Sequence, residues 1–440
     1  MIEKIKEQKG EHKMAEIKAF KGLRYTEKAG DIGNLCCPPY DIISEEERRQ
    51  FLETNPHNII RLELPQALTD NPDADAYSAA GQVLRGWLAD GILANDNEDS
   101  IYAYEMEFEV SGERKSVTGF VCLVKLEEFS KGIVLPHEET LSKAKTDRFN
   151  LMKATDCNFS QIYSLFNDDC GGVSALLSDV QKSAPISAFT DRDGVTHKLN
   201  IITDSETIQN ITALMADKKI YIADGHHRYE TALNYRNQLT GEKGTGNYVP
   251  MTLVSMKHPG LVVFPTHRIV RDLSGYEHNE IIAKCAEYFD TTENLNREKA
   301  ERALEEAYRN GEKAFVLYCG NNNYTCLKLK DTEIMKQFMP EASTALRGLD
   351  VSVLHTLVLE RIFGIDKENM ANQINLIYTK KADEAVAAVD GGSANCCFLL
   401  NPTRVEEIGG AAAAGEKMPQ KSTYFYPKLT TGLVMNQIIK

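Results

Sequence analysis

Five consecutive residues, Asp224-Gly225-His226-His227-Arg228, stand between an apolar run and a helical pattern, and their types suit the binding of an oxyanion. A strand that enters an Asp-Gly turn and starts a helix at once leaves the first helical amides without acceptors, at the positive end of the helix dipole. Phosphate is the anion most often found in such a place. Gly225 lets the backbone approach a ligand without a Cβ, and Arg228 can grip phosphate through two parallel N–H groups. His226 and His227 add donors in the first turn, or handle a proton. Positive side chains here oppose the dipole, so the cluster costs stability unless an anion offsets it. The structural alternative is ordinary: Asp224 caps the helix, one histidine is core, and Arg228 pairs with Glu230 or another carboxylate.

A second polar cluster is Pro136-His137-Glu138-Glu139-Thr140, followed by Lys143, Lys145, Asp147 and Arg148 on a helical segment. Read for function, His137 and Glu138 supply acid–base chemistry while Lys143 and Arg148 hold anionic oxygens, the mixture phosphoryl transfer needs. Read for structure, it is a solvated face with i,i+4 ion pairs. Pro38-Pro39-Tyr40-Asp41 is a rigid turn that presents an acid, Pro265-Thr266-His267-Arg268 sets another His-Arg pair at a strand, and Lys421 to Lys428 interleaves hydroxyls with lysines. His137, His226, His227 and His267 leave a metal-dependent hydrolase open, although no HExxH occurs. P-loop, Rossmann and nucleophile-elbow motifs are also missing. The ten cysteines contain no CxxC and read as small buried residues. Cys36 and Cys37 are singled out only because they precede the Pro38 turn.

These residues need elements to position them. Residues 1–14 read as a solvated tail, and IIRLELP (59–65) as a strand. IYAYEMEFEV and KSVTGFVCLVKL, joined by Ser111-Gly112-Glu113, predict a β-hairpin. Segment 142–154 has the pattern of a helix, 160–166 and 218–223 of strands, and 228–239 of a second helix. Beyond 276 come two helices, another hairpin, the apolar helix LDVSVLHTLVLERIFGI and two strand–helix pairs. The pattern predicts a mixed α/β fold in two connected parts, 15–275 and 276–440, with 421–429 returning to the first.

Composition sets the outer limits. With 440 residues, 42% hydrophobic and 26% charged, the chain is of the soluble globular class. Its net charge of −14 disfavours nucleic acid and anionic membranes as partners. No apolar run approaches the ~20 residues of a membrane helix, and the N-terminus has no apolar signal core, so a cytoplasmic location is expected.

The stretch IADGHHRYETAL (222–233) resembles the signature of a bacterial and archaeal family known only as a domain of unknown function. Other stretches resemble the same family: FKGLRY (20–25), PPYDIIS (38–44), NPHNIIRLELP (55–65), HEETLSKAKTDRFNLMKAT (137–155), FPTHRIV (264–270), LDVSVLH (349–355) and KSTYFYPKL (421–429). More distantly, the Asp-Gly-His-His-Arg turn is similar to the phosphate-binding turn of the ParB/sulfiredoxin-like superfamily. One branch of it, the free serine kinases, moves phosphate between a nucleotide and the hydroxyl of serine. The resemblance implies a ParB/sulfiredoxin-like phosphate-binding part elaborated by a second α/β part. It implies ADP or ATP with Mg2+ as cofactors, and an acid drawn from Glu138, Asp41 and Asp224 to take the serine proton.

The resulting expectation is phosphoryl transfer or phosphate-ester hydrolysis on a small amino-acid metabolite, serine or O-phosphoserine first. Arg228, Lys143, Arg148 and Lys428 neutralise the phosphate, and His226 or His227 handles the proton. A metal-dependent hydrolase and a non-catalytic nucleotide-binding regulator are the alternatives. The expected partner is a phosphorylated small molecule, with neither nucleic acid nor membrane, and a homo-oligomer is compatible with the sequence.

Overall fold

Asp224 and the helix after it sit at the end of one strand of a nine-stranded sheet. The computed structural model describes residues 14–65, 75–140, 142–239, 244–275 and 277–439, with the side chains of 142–144 outside that description. The fold is mixed α/β. The chain divides into two compact units, one of Met1–Pro136, Leu141–Leu261 and Pro427–Lys440, the other of His137–Thr140 and Val262–Tyr426. Segment 262–275 therefore lies in the second unit, and Lys428 in the first.

The first unit is built on a sheet with strands β1 (Ile17–Lys18), β2 (Ile101–Val110), β3 (Glu113–Lys125), β4 (Val134–Leu135), β5 (Ile162–Phe166), β6 (Ser187–Thr190), β7 (Thr196–Ile202), β8 (Ile220–Asp224) and β9 (Tyr248–Ser255). The order is β4-β8-β5-β9-β3-β2-β7-β6, with β1 against β3. The hairpin expected from 101–125 forms, with Tyr102 opposite Val121 and Val110 opposite Glu113. β8 is antiparallel to β5 and parallel to β4. A register shift between Ile222 and Asp224 places Asp224 opposite Tyr163, and a bulge of this kind re-aims the side chains beside it.

Three helices of this unit concern the site: α1 (Ile60–Glu63), α2 (Ser142–Thr155) and α3 (His226–Gln238). Tyr229, Ala232 and Leu233 of α3 enter a core with Phe120, Ile162, Ile222 and Leu253. The Tyr229 hydroxyl fixes the helix further: it donates to the Glu127 carbonyl at 2.8 Å and accepts from the Glu127 amide at 2.9 Å. The strand expected at 59–65 is instead helical. Asn58 Oδ1 accepts from the Ile60 amide at 2.9 Å, a local bond that favours a turn over a ladder. A short apolar run does not by itself separate strand from buried helix.

The second unit holds an antiparallel six-stranded sheet of β10 (His267–Val270), β11 (Phe289–Leu295), β12 (Ala314–Tyr318), β13 (Tyr324–Leu329), β14 (Leu376–Thr379) and β15 (Cys396–Leu400), in the order β11-β13-β12-β15-β10-β14. Ile269, Val316, Leu399, Leu304 and Val386 form its core. The apolar helix expected from 349 onward is α4 (Asp350–Val353), which runs directly into a π-helical stretch, Leu354–Glu360. Among the described residues no helix is long and apolar enough to cross a membrane.

Candidate functional site

The turn at the start of α3 depends on Gly225, which has φ of 93° and is the residue before the first helical turn. A Cβ there would lie 2.9 Å from Arg228 Nε and 3.0 Å from its Cζ, so the guanidinium lies across the space only glycine leaves open. Gly225 offers no side-chain cap to the helix, and Asp224 binds two cations. Arg228 Nη2 donates to Asp224 Oδ2 at 2.7 Å, and Lys428 Nζ donates to Asp224 Oδ1 at 2.5 Å. Arg228 Nη1 also donates to the Gln161 carbonyl at 2.5 Å. Asp224 thus faces two cations near the positive end of the helix dipole. His226 is buried and His227 half-buried in the same first turn.

Arg148, from α2, belongs to a buried group in the same unit. Its Nη1 donates to the Glu63 carbonyl at 2.8 Å and lies 3.4 Å from Glu63 Oε1, while its Nε donates to Asp147 Oδ2 at 2.7 Å. Tyr77 donates to the other Asp147 oxygen at 2.7 Å, and the Tyr40 ring packs 4.3 Å from the guanidinium. Burial pushes the Glu63 carboxyl up from its usual range, and Arg148 and Arg228 pull it back. Burial also raises the Tyr40 phenol, while Asp41 is exposed. A cavity of about 40 Å³ lined by Glu63, Arg148, Ser160, Arg228 and Thr231 is too small for a metabolite. Lys145 pairs with Glu230 of α3 at 2.8 Å, an ion pair between two helices and not along one. The Lys143 side chain lies outside the described residues. Glu63 is the member of this group that the motifs did not single out. An acid inside the apolar run IIRLELP is the signal that points to it.

His137, Glu138, His267 and Arg268 lie in the second unit. His137 is buried, with Nε2 2.9 Å from Thr423 Oγ1. Glu138 Oε1 accepts from the amides of Ser422 and Thr423, at 3.2 Å each, and from Thr423 Oγ1 at 3.1 Å. Three donors on one oxygen make Glu138 a clamp on the 422–423 backbone, a task that competes with taking a substrate proton. His267 Nδ1 accepts from the Leu400 amide at 3.1 Å. Burial, and then the Arg268 charge, press its pKa down to about 4, so it stays neutral near pH 7 and offers phosphate no charge. Arg268 is wholly buried.

Among the described residues no group of three or more His, Cys, Asp or Glu side chains is placed to hold a metal ion. The histidines therefore do not gather into the ligand set of a metal-dependent hydrolase there, and the carboxylates form no cage for Mg2+.

The chain belongs to the family described as "Protein of unknown function (DUF1015)", which matches residues 17–352. No curated protein matches it. Among solved structures it is similar to a conserved hypothetical protein from Pyrococcus furiosus, at 17% identity and a TM-score of 0.34 over 69% of this chain and 90% of that one. It is similar to a mutant free serine kinase in complex with ADP, at 14% identity and a TM-score of 0.34 over 66% of this chain and 83% of that one. It is also similar to C-terminally truncated SbnI from Staphylococcus aureus, at 11% identity and a TM-score of 0.36 over 71% and 86%.

Proposed function

We propose that the first unit binds the phosphate of a small amino-acid metabolite at the start of α3 and catalyses phosphoryl transfer, with serine and O-phosphoserine as the substrate pair. The observation that carries this reading is the convergence of Arg228 and Lys428 on Asp224 beneath the first turn of α3. Two cations and a helix N-terminus converge where a phosphate gains most. The choice of serine rests on the resemblance of the Asp224–Arg228 turn to that of the free serine kinases.

In the forward direction the serine hydroxyl oxygen bonds to the γ-phosphorus of ATP. The bond from that phosphorus to the β-phosphate oxygen breaks, and ADP leaves. The hydroxyl proton goes to an imidazole, which we assign to His227, half-buried in the first turn of α3. Arg228 and Lys428 neutralise the moving phosphoryl group. Asp224 holds both cations in place, and no step is assigned to a protein-bound Mg2+.

The experiment is to incubate the protein with O-phosphoserine, with and without ADP, and to measure serine, phosphate and ATP. Transfer yields serine and ATP only when ADP is present, whereas hydrolysis yields serine and phosphate without it. His227→Ala and Arg228→Ala are each expected to lower turnover sharply with the fold intact. Unchanged turnover in both variants removes the turn from the reaction, and nucleotide binding without turnover makes the protein a regulator.

A further inference from the structure

Among the described residues Arg268 is the largest side chain fully withdrawn from solvent, and no carboxylate there forms an ion pair with it. Its Nη1 donates to the Thr266 carbonyl, its Nη2 lies 3.3 Å from His355 Nε2, and its guanidinium faces the Tyr378 ring at 5.1 Å. Its Nε has no partner. Because arginine only donates, His355 Nε2 must accept, which makes His355 a neutral imidazole with its proton on Nδ1. Burial and the Arg268 charge both hold it in that form. No negative charge therefore balances this guanidinium at contact distance, and a cation buried in this way is strongly unfavourable. Burial presses the Arg268 pKa down to about 10, against partial support from Tyr378 and Glu138.

Two more buried donors lie on the same elements. Thr266 Oγ1 and Ser352 Oγ are both withdrawn from solvent and unpartnered. Thr266 is two residues before Arg268, and its own carbonyl accepts from the guanidinium. Ser352 is three residues before His355, one turn away on the same helical face, where α4 passes into the π-helical stretch. Three buried donors without a partner, one of them on the guanidinium itself, are rare in a folded interior and call for an acceptor.

We propose that the second unit holds a small monovalent anion of halide size, bound at Arg268 Nε and taking hydrogen bonds from Thr266 and Ser352. Water would satisfy the hydroxyls but leave the charge unbalanced, so an anion is the better occupant. Arg268, Thr266 and Ser352 are at most 7% exposed, so the place is closed to a phosphorylated metabolite. The site is independent of the phosphate turn in the first unit, and its role is to complete the interior of the second.

The test uses the full chain crystallised in bromide, with melting temperature followed in bromide and in gluconate at equal ionic strength. An anomalous peak is expected against Arg268 Nε. The bromide-over-gluconate difference in melting temperature is expected to grow with concentration and to shrink in Ser352→Ala. Arg268→Met is expected to abolish the peak, and Ser352→Ala serves should that variant fail to fold. Water density or none beside Arg268, or a salt difference unchanged in Ser352→Ala, overturns the proposal.

Discussion

Lys428 reaches Asp224 across 204 residues of sequence and donates to its Oδ1 at 2.5 Å. Arg228, one turn along α3, takes Oδ2 at 2.7 Å. Both carboxylate oxygens are thus committed to cations, with Asp224, Arg228 and Lys428 only 17%, 11% and 13% exposed. The arrangement fixes the cations in position before a ligand arrives.

Asp224→Asn separates a phosphate site from a structural ion pair. Removing the negative charge should tighten inorganic phosphate binding roughly tenfold, the factor that about 1.4 kcal/mol brings. The two cations lose their partner, so stability should fall by about 2 kcal/mol, less than for a fully buried pair. Calorimetric titration and urea unfolding read the two effects, and a loss of phosphate affinity alongside stability would make the trio a scaffold only.

Gly225→Ala meets two penalties. The left-handed backbone, at φ of 93°, costs a Cβ-bearing residue about 1–2 kcal/mol. The new methyl would also displace Arg228 from 2.9 Å at Nε. A lower urea midpoint and weaker phosphate binding are both expected, and wild-type phosphate affinity in this variant would detach Arg228 from the site.

His267 sets a pH dependence in the second unit. Its folded pKa of about 4 lies below the ordinary 6.5, so the folded state binds fewer protons than the unfolded one. This contribution is fully present above pH 6.5 and is lost as the pH falls through 4, over which stability drops by a few kcal/mol. NMR of the imidazole across that window should show a midpoint near 4, and a midpoint above 6 would place His267 in contact with solvent.

Much of the scaffold was legible because pattern and turn chemistry agree. The 101–125 hairpin carries Ser111-Gly112 between alternating strands, and both residues take positive φ. The strand, turn and helix around Gly225 were legible for the same reason. Residues 59–65 were not, since a local Asn58 bond decided between helix and strand. The roles within the site depended on partners distant in sequence. Arg148 meets Glu63, 85 residues away, at its backbone carbonyl, and Glu138 is clamped by 422–423. Contacts of that range leave no mark in local spacing, so Arg148 and Glu138 were legible as charges but not as the clamps they form.

Calorimetric titration of O-phosphoserine into the wild-type protein, Arg228→Gln and Lys428→Met tests the phosphate turn most directly. The arrangement at Asp224 predicts saturable binding by the wild type and at least roughly tenfold weaker binding by each variant, about 1.4 kcal/mol or more apiece, with circular dichroism unchanged. Equal affinity in all three proteins, or no binding by the wild type, would contradict it.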